Sequence, residues 1–373
     1  MSSHSPLAPS SAARWVVCPG SVSMEAGFPE EPSDESRNGD AAHWALAEVL
    51  QGRAVDVGTV APNGVLLTVE HMEAVDVAVD SVASAGRATM LVEQTVQIPR
   101  VHPECSGTPD LSWWAIGSRP TLHVRDFKYG HRFVPADGNW QLIAYAAGIL
   151  STTRYDDQVV DVTLGIIQPR CYAGAPVREW TVPASDLRGP INQLRNAAEE
   201  AMSPNPRCVP NPECRDCRAR HACPALAKDA YRSAALSEAA IPFELPPAAA
   251  GLELRMLHEA RERLGARISG LESEVESHIR KGVAVPWWRM ERSAGREDWK
   301  PGMQAQVLEL GNLMGVPVAR PVEPVTPNQA RKAGLDPELV AAFAHRPPAG
   351  VKLVPDDGSQ AARVFGKQTG GAV

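Results

Sequence analysis

Two short acidic clusters constrain this chain most: Gly107-Thr108-Pro109-Asp110 and Asp126-Phe127-Lys128. Both fall in strand-like sequence, and Gly117-Ser118-Arg119-Pro120 between them has the composition of a hairpin turn. Such a turn makes the strands carrying Asp110 and Asp126 antiparallel neighbours. Asp126 and Lys128 are two residues apart, so their side chains leave the same face of a strand. Two carboxylates and an amine then converge at one end of a sheet. Carboxylate oxygens suit Mg²⁺ or Mn²⁺. A metal so held activates water and shields phosphate charge, while the lysine orients the water or stabilises developing negative charge. The set matches what a metal-dependent phosphodiester hydrolase requires. The plainer reading is that Asp110 opens a turn and Asp126 and Lys128 line an exposed strand. The Gly-Thr-Pro-Asp cluster and the matching hairpin favour the former.

The surrounding pattern predicts an α/β fold. Gly39 to Leu50 carries an apolar helical stripe through Ala41, Ala42, Ala45, Leu46 and Val49. A second helix is expected over residues 70–87. Strands follow at Met90–Ile98, Thr108–Ala115 and Thr121–Phe127, then a helix over 137–151, a β-branched strand at Val159–Ile167 and a helix over 185–203. Helix, three strands, helix, strand and helix make an α/β sandwich around a mixed sheet. Past a helical stretch to about Ser237, the Ala- and Pro-rich segment through Gly251 reads as a linker. Leu252 to Ile279 has the spacing of a long amphipathic helix. Val283 to Trp299 suggests a small hairpin, and the last fifteen residues are expected to fray. The expected division is a domain over 1–235, a linker over 236–251 and a helical or small C-terminal region over 252–373.

The net charge is −7, so no general basic coat for nucleic acid exists, and any such contact must be local. No apolar run approaches 18 residues, so no membrane span is expected. The N-terminus lacks the pattern of a secretion signal. Four of the seven cysteines crowd into residues 208–223, as Cys208 and Cys214-x2-Cys217-x5-Cys223. Without an export signal, such crowding suggests metal ligation over a disulfide framework. Cys214, Cys217 and Cys223 supply three ligands, and Cys18 or Cys208 can be the fourth. Only one Cys-x2-Cys pair is present, which favours an iron–sulfur cluster over the two-knuckle pattern usual for zinc, the rival metal. Cys105 and Cys171 have no partner at ligand spacing. Arg207, Arg215, Arg218, Arg220 and Lys228 surround the cysteines and can track a phosphate backbone or form a solvated loop.

Pro109-Asp110 followed by Asp126-x-Lys128 resembles the PD-(D/E)XK (restriction-endonuclease-like) nuclease superfamily, and the element order is similar to its αβββαβ core. The branch it resembles is that of the RecB/Cas4-like iron–sulfur exonucleases. Within it, the chain is similar to the phage and prophage proteins grouped as DUF2800. That likeness rests on Ser10-Ser11-Ala12-x-Arg14-Trp15-x2-Cys18-Pro19-Gly20-Ser21, Gly39-x3-His43, Asp126-Phe127-Lys128-Tyr129-Gly130 and Gln141-Leu142-x2-Tyr145. It covers residues 8–230 most fully and extends weakly through Gly295-Arg296-x2-Trp299-Lys300.

The resemblance implies a Mg²⁺- or Mn²⁺-dependent deoxyribonuclease acting on DNA ends or single strands in phage recombination or replication. It implies His43, Asp110 and Asp126 as metal ligands, Lys128 as the catalytic lysine, and Gln141 with Tyr145 beside the site. For His43 the alternative is a polar residue capping its helix, and for Gln141 an ordinary helix surface position. Glu93 is a spare acid, read as structural. Cys18, followed by proline as in the family, becomes the implied fourth ligand of a [4Fe–4S] cluster with Cys214, Cys217 and Cys223. A cluster so ligated closes a long loop and removes on the order of several kcal/mol of chain entropy. A phage single-strand binding, annealing or replication protein is an implied partner, and the bacterial host cytoplasm the implied setting. Two other readings use the same residues: a catalytically silent DNA-binding subunit, and a zinc-stabilised interaction protein. The region after 252 can add contacts through Trp287, Trp288, Arg289, Arg292 and Lys300, although tryptophans are more often core.

Overall fold

The computed structural model describes residues 5–29, 32–83, 90–171, 173–236, 247–294, 298–300, 302–316, 318, 327–332, 334–345 and 348–355. The chain divides into two units, residues 1–270 and 271–373.

The first unit is α/β, built on a mixed five-stranded sheet of order β1-β4-β5-β6-β7. Its strands are β1 (Leu91–Val92), β4 (Leu111–Ala115), β5 (Thr121–Phe127), β6 (Asp161–Ile167) and β7 (Val177–Pro183). A separate two-stranded ribbon pairs β2 (Val96–Gln97) with β3 (Ser106–Gly107). The expected hairpin forms: β4 and β5 are antiparallel, with Leu111 opposite Arg125. β5 and β6 are parallel, joined by the crossover helix α5 (Trp140–Thr152) that a parallel pair demands.

The strand expected over Met90–Ile98 is broken. Glu93 adopts a left-handed φ of 50°, which a strand cannot continue through. The chain leaves β4 there and turns to pair β2 with β3. β7 went unread in the sequence because its side chains are half-exposed and charged, as in Arg178 and Glu179.

Each face of the sheet is covered for a legible reason. Helix α3 (Asp34–Leu50) starts earlier than its apolar stripe suggests. Ser33 caps it by accepting from Ser36 N, and Asp34 and Glu35 meet the positive end of its dipole. With α4 (Val69–Ser81) it buries Ala42, Leu46 and Val75 against Leu111, Phe127 and Ile167. On the other face, α1 (Ala12–Val17), α5 and α6 (Arg188–Ala201) pack on Leu122, Val124, Leu164 and Ile166. α5 is buried from Leu142 to Leu150, as a helix apolar on all sides must be. α2 (Gly20–Glu25) follows α1.

Beyond the sheet, α7 (Pro224–Leu236) and α8 (Pro247–Arg280) follow the cysteine segment. Most of the expected linker, residues 237–246, lies outside the described residues, and 247–251 are helical. In the second unit, β8 (Trp288–Ala294) pairs with β11 (Pro348–Pro355), and β9 (Asp298–Trp299) pairs with β10 (Ala344–His345). The hairpin expected within Val283–Trp299 is therefore replaced by pairings to sequence fifty residues on, which no local pattern announces. α9 (Gln304–Met314), α10 (Pro327–Lys332) and α11 (Pro337–Phe343) complete the unit. Trp299 is core there, beside Val307 and Val340, while Trp287 is 78% exposed. The final fifteen residues lie outside the described ones. Among the described residues, no helix is long and apolar enough to cross a membrane.

One buried charge shapes the sheet. Arg125 is 3% exposed, ion-paired to Glu179, and lies over Gly165 on the neighbouring strand. A Cβ at Gly165 would stand 2.6 Å from Arg125 Cδ. Gly165→Ala must push this guanidinium off its seat, so a loss of about 1–3 kcal/mol is expected, as for other overpacked cores. Urea denaturation measures it, and unchanged stability would show that Arg125 repacks freely.

Candidate active site

Asp110 sits just before β4 and is 8% exposed. Its Oδ2 accepts from Phe127 N on β5 at 2.6 Å, and its Oδ1 lies 3.1 Å from His43 Nδ1 on α3. One carboxylate thus links two strands and a helix. The glycine of Gly107-Thr108-Pro109-Asp110 has its own reason. A Cβ there would stand 2.7 Å from Pro9 Cδ and 3.0 Å from Tyr145 Cε1. The segment therefore needs glycine to pass between the N-terminal loop and α5.

His43 lies in the middle of α3 and not at its start, since the helix begins at Asp34. Its ring meets Phe127 edge-on, with centroids 5.3 Å apart.

Asp126 and Lys128 leave the same side of β5, as the period of two requires, and face α5. Lys128 Nζ donates to Gln141 Oε1 at 3.1 Å, and Gln141 Nε2 donates to Asp126 Oδ1 at 2.7 Å. Gln141 so holds the lysine and the carboxylate with opposite ends of one amide. Tyr145, one turn further along α5, has its hydroxyl 3.4 Å from Gln141 Nε2. Asn139 sets this helix start by accepting from Leu142 N. Lys128 Nζ is also 2.9 Å from Asp126 Oδ2. Oδ2 is buried, and this ion pair is the polar contact it has among the described residues.

Glu93, which the sequence reading treated as structural, comes to the same place. Its left-handed turn follows β1, its amide donates to Asp110 O at 3.0 Å, and one ligand atom each from His43, Glu93 and Asp110 lie within 4.8 Å of one another. The three can hold a metal ion. The signal in sequence was weak: an acid near a strand end, with no spacing to tie it to Asp110.

The charges are interdependent. Burial opposes protonation of His43, but the Asp110 charge and hydrogen bond outweigh it and push His43 up to about 9. Burial raises Asp110, and His43 together with Lys128 overcomes this, so its carboxyl falls below the ordinary value. Asp126 is raised by burial and by Asp110, against the opposing pull of Lys128. Burial disfavours the Lys128 charge, yet Asp126 and Asp110 hold its proton more firmly than usual. Glu93 is pushed up to about 7, by burial and then by Asp110. Burial also raises Tyr145. Acids crowded at one point, with Glu93 and Asp126 both held high, are what a cation would relieve. The buried Oδ2 of Asp126 and the oxygen-rich donor set with one imidazole suit Mg²⁺ or Mn²⁺.

A second constellation lies in the same unit. Cys18, Cys208, Cys214, Cys217 and Cys223 line one cavity. Val209 N donates to Cys18 Sγ at 3.2 Å, and Asn211 N to Cys214 Sγ at 3.3 Å. The structure so gathers both candidates for the fourth ligand, Cys18 and Cys208. Buried Glu25 binds this segment to α2 through Arg218 N at 2.8 Å and to Arg14 at 3.0 Å. Arg132, four residues past Lys128, reaches Asp216 at 2.7 Å. Cys105 and Cys171 are buried outside the cavity. Arg207 is ion-paired to Glu200, and Arg215 to Asp216.

The family described as "Protein of unknown function (DUF2800)" matches residues 4–310. The chain belongs to it. That match takes in every residue of both constellations, so the DUF2800 region includes the carboxylate cluster as well as the cysteine cavity.

In the metal-free DUF2800 protein, the His43–Asp110 pair links stability to pH. His43 has a folded value of about 9, above its unfolded value. Its contribution is therefore complete below about pH 6.5 and is lost as pH rises through about 9. Melting temperatures in chelator should fall across this window for the wild type and fall less for His43→Gln. Parallel curves would show that the pair adds no linkage.

Proposed function

We propose that this chain is a Mg²⁺- or Mn²⁺-dependent deoxyribonuclease of the PD-(D/E)XK superfamily, in its RecB/Cas4-like branch. The observation that carries this reading is the convergence of Asp126, Lys128 and Gln141 with His43, Glu93 and Asp110 at one end of the sheet. Lone acids and lysines are common on strands. A lysine and a buried carboxylate held by one amide, beside a second buried carboxylate paired to a histidine, concentrate more charge than packing requires.

His43, Glu93 and Asp110 would hold the divalent ion, with Asp126 Oδ2 as a further donor. When bound, the ion supplies Lewis-acid polarisation of a phosphodiester and a water acidified for attack. Lys128 keeps its proton, because two carboxylates favour the charge. Placed so, it neutralises charge that develops on phosphoryl oxygens. Gln141 fixes Lys128 against Asp126, so the amine need not reorganise during the reaction. Tyr145 backs Gln141 from one helical turn away. The substrate is DNA, at ends or as a single strand, and the setting is phage or prophage recombination or replication, alongside a single-strand binding, annealing or replication protein.

In this reading the cysteine cavity holds a [4Fe–4S] cluster through Cys18, Cys214, Cys217 and Cys223. Five sulfurs around one cavity, two of them receiving backbone amides, suit thiolate ligation of a cluster. The cluster would join the N-terminal helices to the segment after α6 and so brace the end of the sheet where Lys128 sits.

End-labelled single- and double-stranded DNA incubated with Mn²⁺ or Mg²⁺ tests the chemistry. Wild type should degrade it. Lys128→Ala and Asp126→Ala should lose at least a hundredfold in rate, the usual scale for removing one such group, while Lys128→Ala still binds DNA. Equal cleavage by Lys128→Ala sinks the mechanism. No cleavage by a correctly folded wild type favours a silent DNA-binding subunit instead. Cys217→Ser should lose iron; unchanged iron removes it from the ligand set.

A further inference from the structure

The loop that follows Lys128 is pinned by one side chain. Gln168 comes directly after β6 and is 1% exposed. Its Nε2 donates to Gly130 O at 2.8 Å and to Arg132 O at 2.6 Å. Its Oε1 accepts from Val134 N at 3.2 Å and from Arg178 Nη2 at 2.6 Å. The backbone is therefore fixed on both sides of Phe133. The hydrophobic effect alone draws a phenyl ring inward, yet Phe133 is held 44% exposed. Its ring is backed by the Arg178 guanidinium, 4.6 Å from the centroid, and by Gly174, where a Cβ would stand 2.9 Å from Cε2. Phe133 lines a cavity of about 400 Å³ together with Lys128, Arg132, Trp140 and Gln141. Lys128 and Gln141 also belong to the carboxylate cluster, so the cavity reaches the candidate active site. Its charges nearly balance, with Arg14, Lys128 and Arg132 set against Glu213 and Asp216. Such a cavity gains little from phosphate charge alone, and aromatic surface has to supply affinity.

We propose that this cavity binds single-stranded DNA, and that Phe133 stacks on a base beside the phosphate that Lys128 meets. The inference rests on the DNA reading of the carboxylate cluster and narrows it to one form of DNA. A base inside a duplex is covered on both faces by its neighbours, so an aromatic side chain finds no free face there. An unpaired base offers one. Stacking of this kind accepts any base, because each has a π face. Lys128 then holds the strand by its phosphate and Phe133 holds it by a base. A rigid loop suits this role, because a ring fixed before binding loses little freedom when the base arrives.

The experiment measures binding by fluorescence anisotropy in full-length chains that carry Lys128→Ala, so that no DNA is cut. The probes are a labelled oligothymidine, its duplex with oligoadenine, and an abasic strand of the same length. Adding Phe133→Ala should weaken oligothymidine binding about tenfold, the scale of one stacked base. It should leave the duplex and the abasic strand unchanged. Phe133→Tyr, which keeps a ring, should bind like its parent. Equal loss on all three probes is what a damaged loop produces, and it overturns the inference. Unchanged affinity of Phe133→Ala for oligothymidine overturns it too, as does a parent that binds the duplex as tightly as the strand. Cleavage is read separately, with Lys128 present and Mn²⁺ added. A chain that binds the strand through Phe133 but never cuts sinks the nuclease reading and leaves this inference standing. A chain that cuts, while Phe133→Ala binds like its parent, does the reverse.

Discussion

The carboxylate of Asp110 organises the first unit. One oxygen accepts the Phe127 amide and the other meets His43, so a single buried side chain ties β4 to β5 and the sheet to α3. A buried charge is tolerated only when paired and hydrogen-bonded, and Asp110 meets both conditions. The arrangement also sets the electrostatics around it. His43 is held protonated, Asp126 is pushed toward neutrality, and Lys128 is held charged. None of these groups has an ordinary environment, and each owes its state to its neighbours. Perturbed titrating groups gathered at one end of a sheet are what mark this cluster as the candidate site.

The rest of the unit holds this cluster in place. The opposite sheet face rests on α5, which is buried along most of its length and presents Gln141 and Tyr145 at the end where Asp126 and Lys128 emerge. The α3–α4 layer presents His43 to Asp110. The cysteine segment is clipped to the N-terminal helices by Glu25 and to the loop after β5 by the Arg132–Asp216 pair. The segment that carries the cysteines is thus tied to the loop that follows Lys128. In the second unit, a small core around Trp299 and Val340 is paired across long sequence separations.

Much of this was written in the sequence, because the relevant signals are local. The period of two put Asp126 and Lys128 on one face of β5. The turn at 117–120 dictated that β4 and β5 be antiparallel, which brings Asp110 opposite. The spacing of Gln141 and Tyr145 made them neighbours on a helix, and the cysteine spacing marked a cluster of sulfurs. The crossover helix between β5 and β6 followed from the order of elements. Each of these depends on a few bonds of chain geometry, so the local order and spacing of residues suffice to reveal them.

Other features depended on which segments meet in space. Glu93 entered the cluster only because a left-handed turn breaks the expected strand and aims it at His43 and Asp110. Nothing local distinguishes that acid from any other. Cys18 and Cys208 both reached the cavity because residues 18–20 and 207–209, far apart in sequence, are joined by hydrogen bonds from Gly20 N to Arg207 O and from Val209 N to Cys18 Sγ. β7 was unread because its half-exposed, charged face imitates a loop, and the β8–β11 pairing because its partners lie far apart in the chain. The sequence by itself determined the element types, the hairpin and the residues able to do chemistry, since these obey local periodicity and turn stereochemistry. Only the tertiary structure decided which donors share a site and what charge each carries, since those follow from burial and distance between segments that the chain brings together from afar.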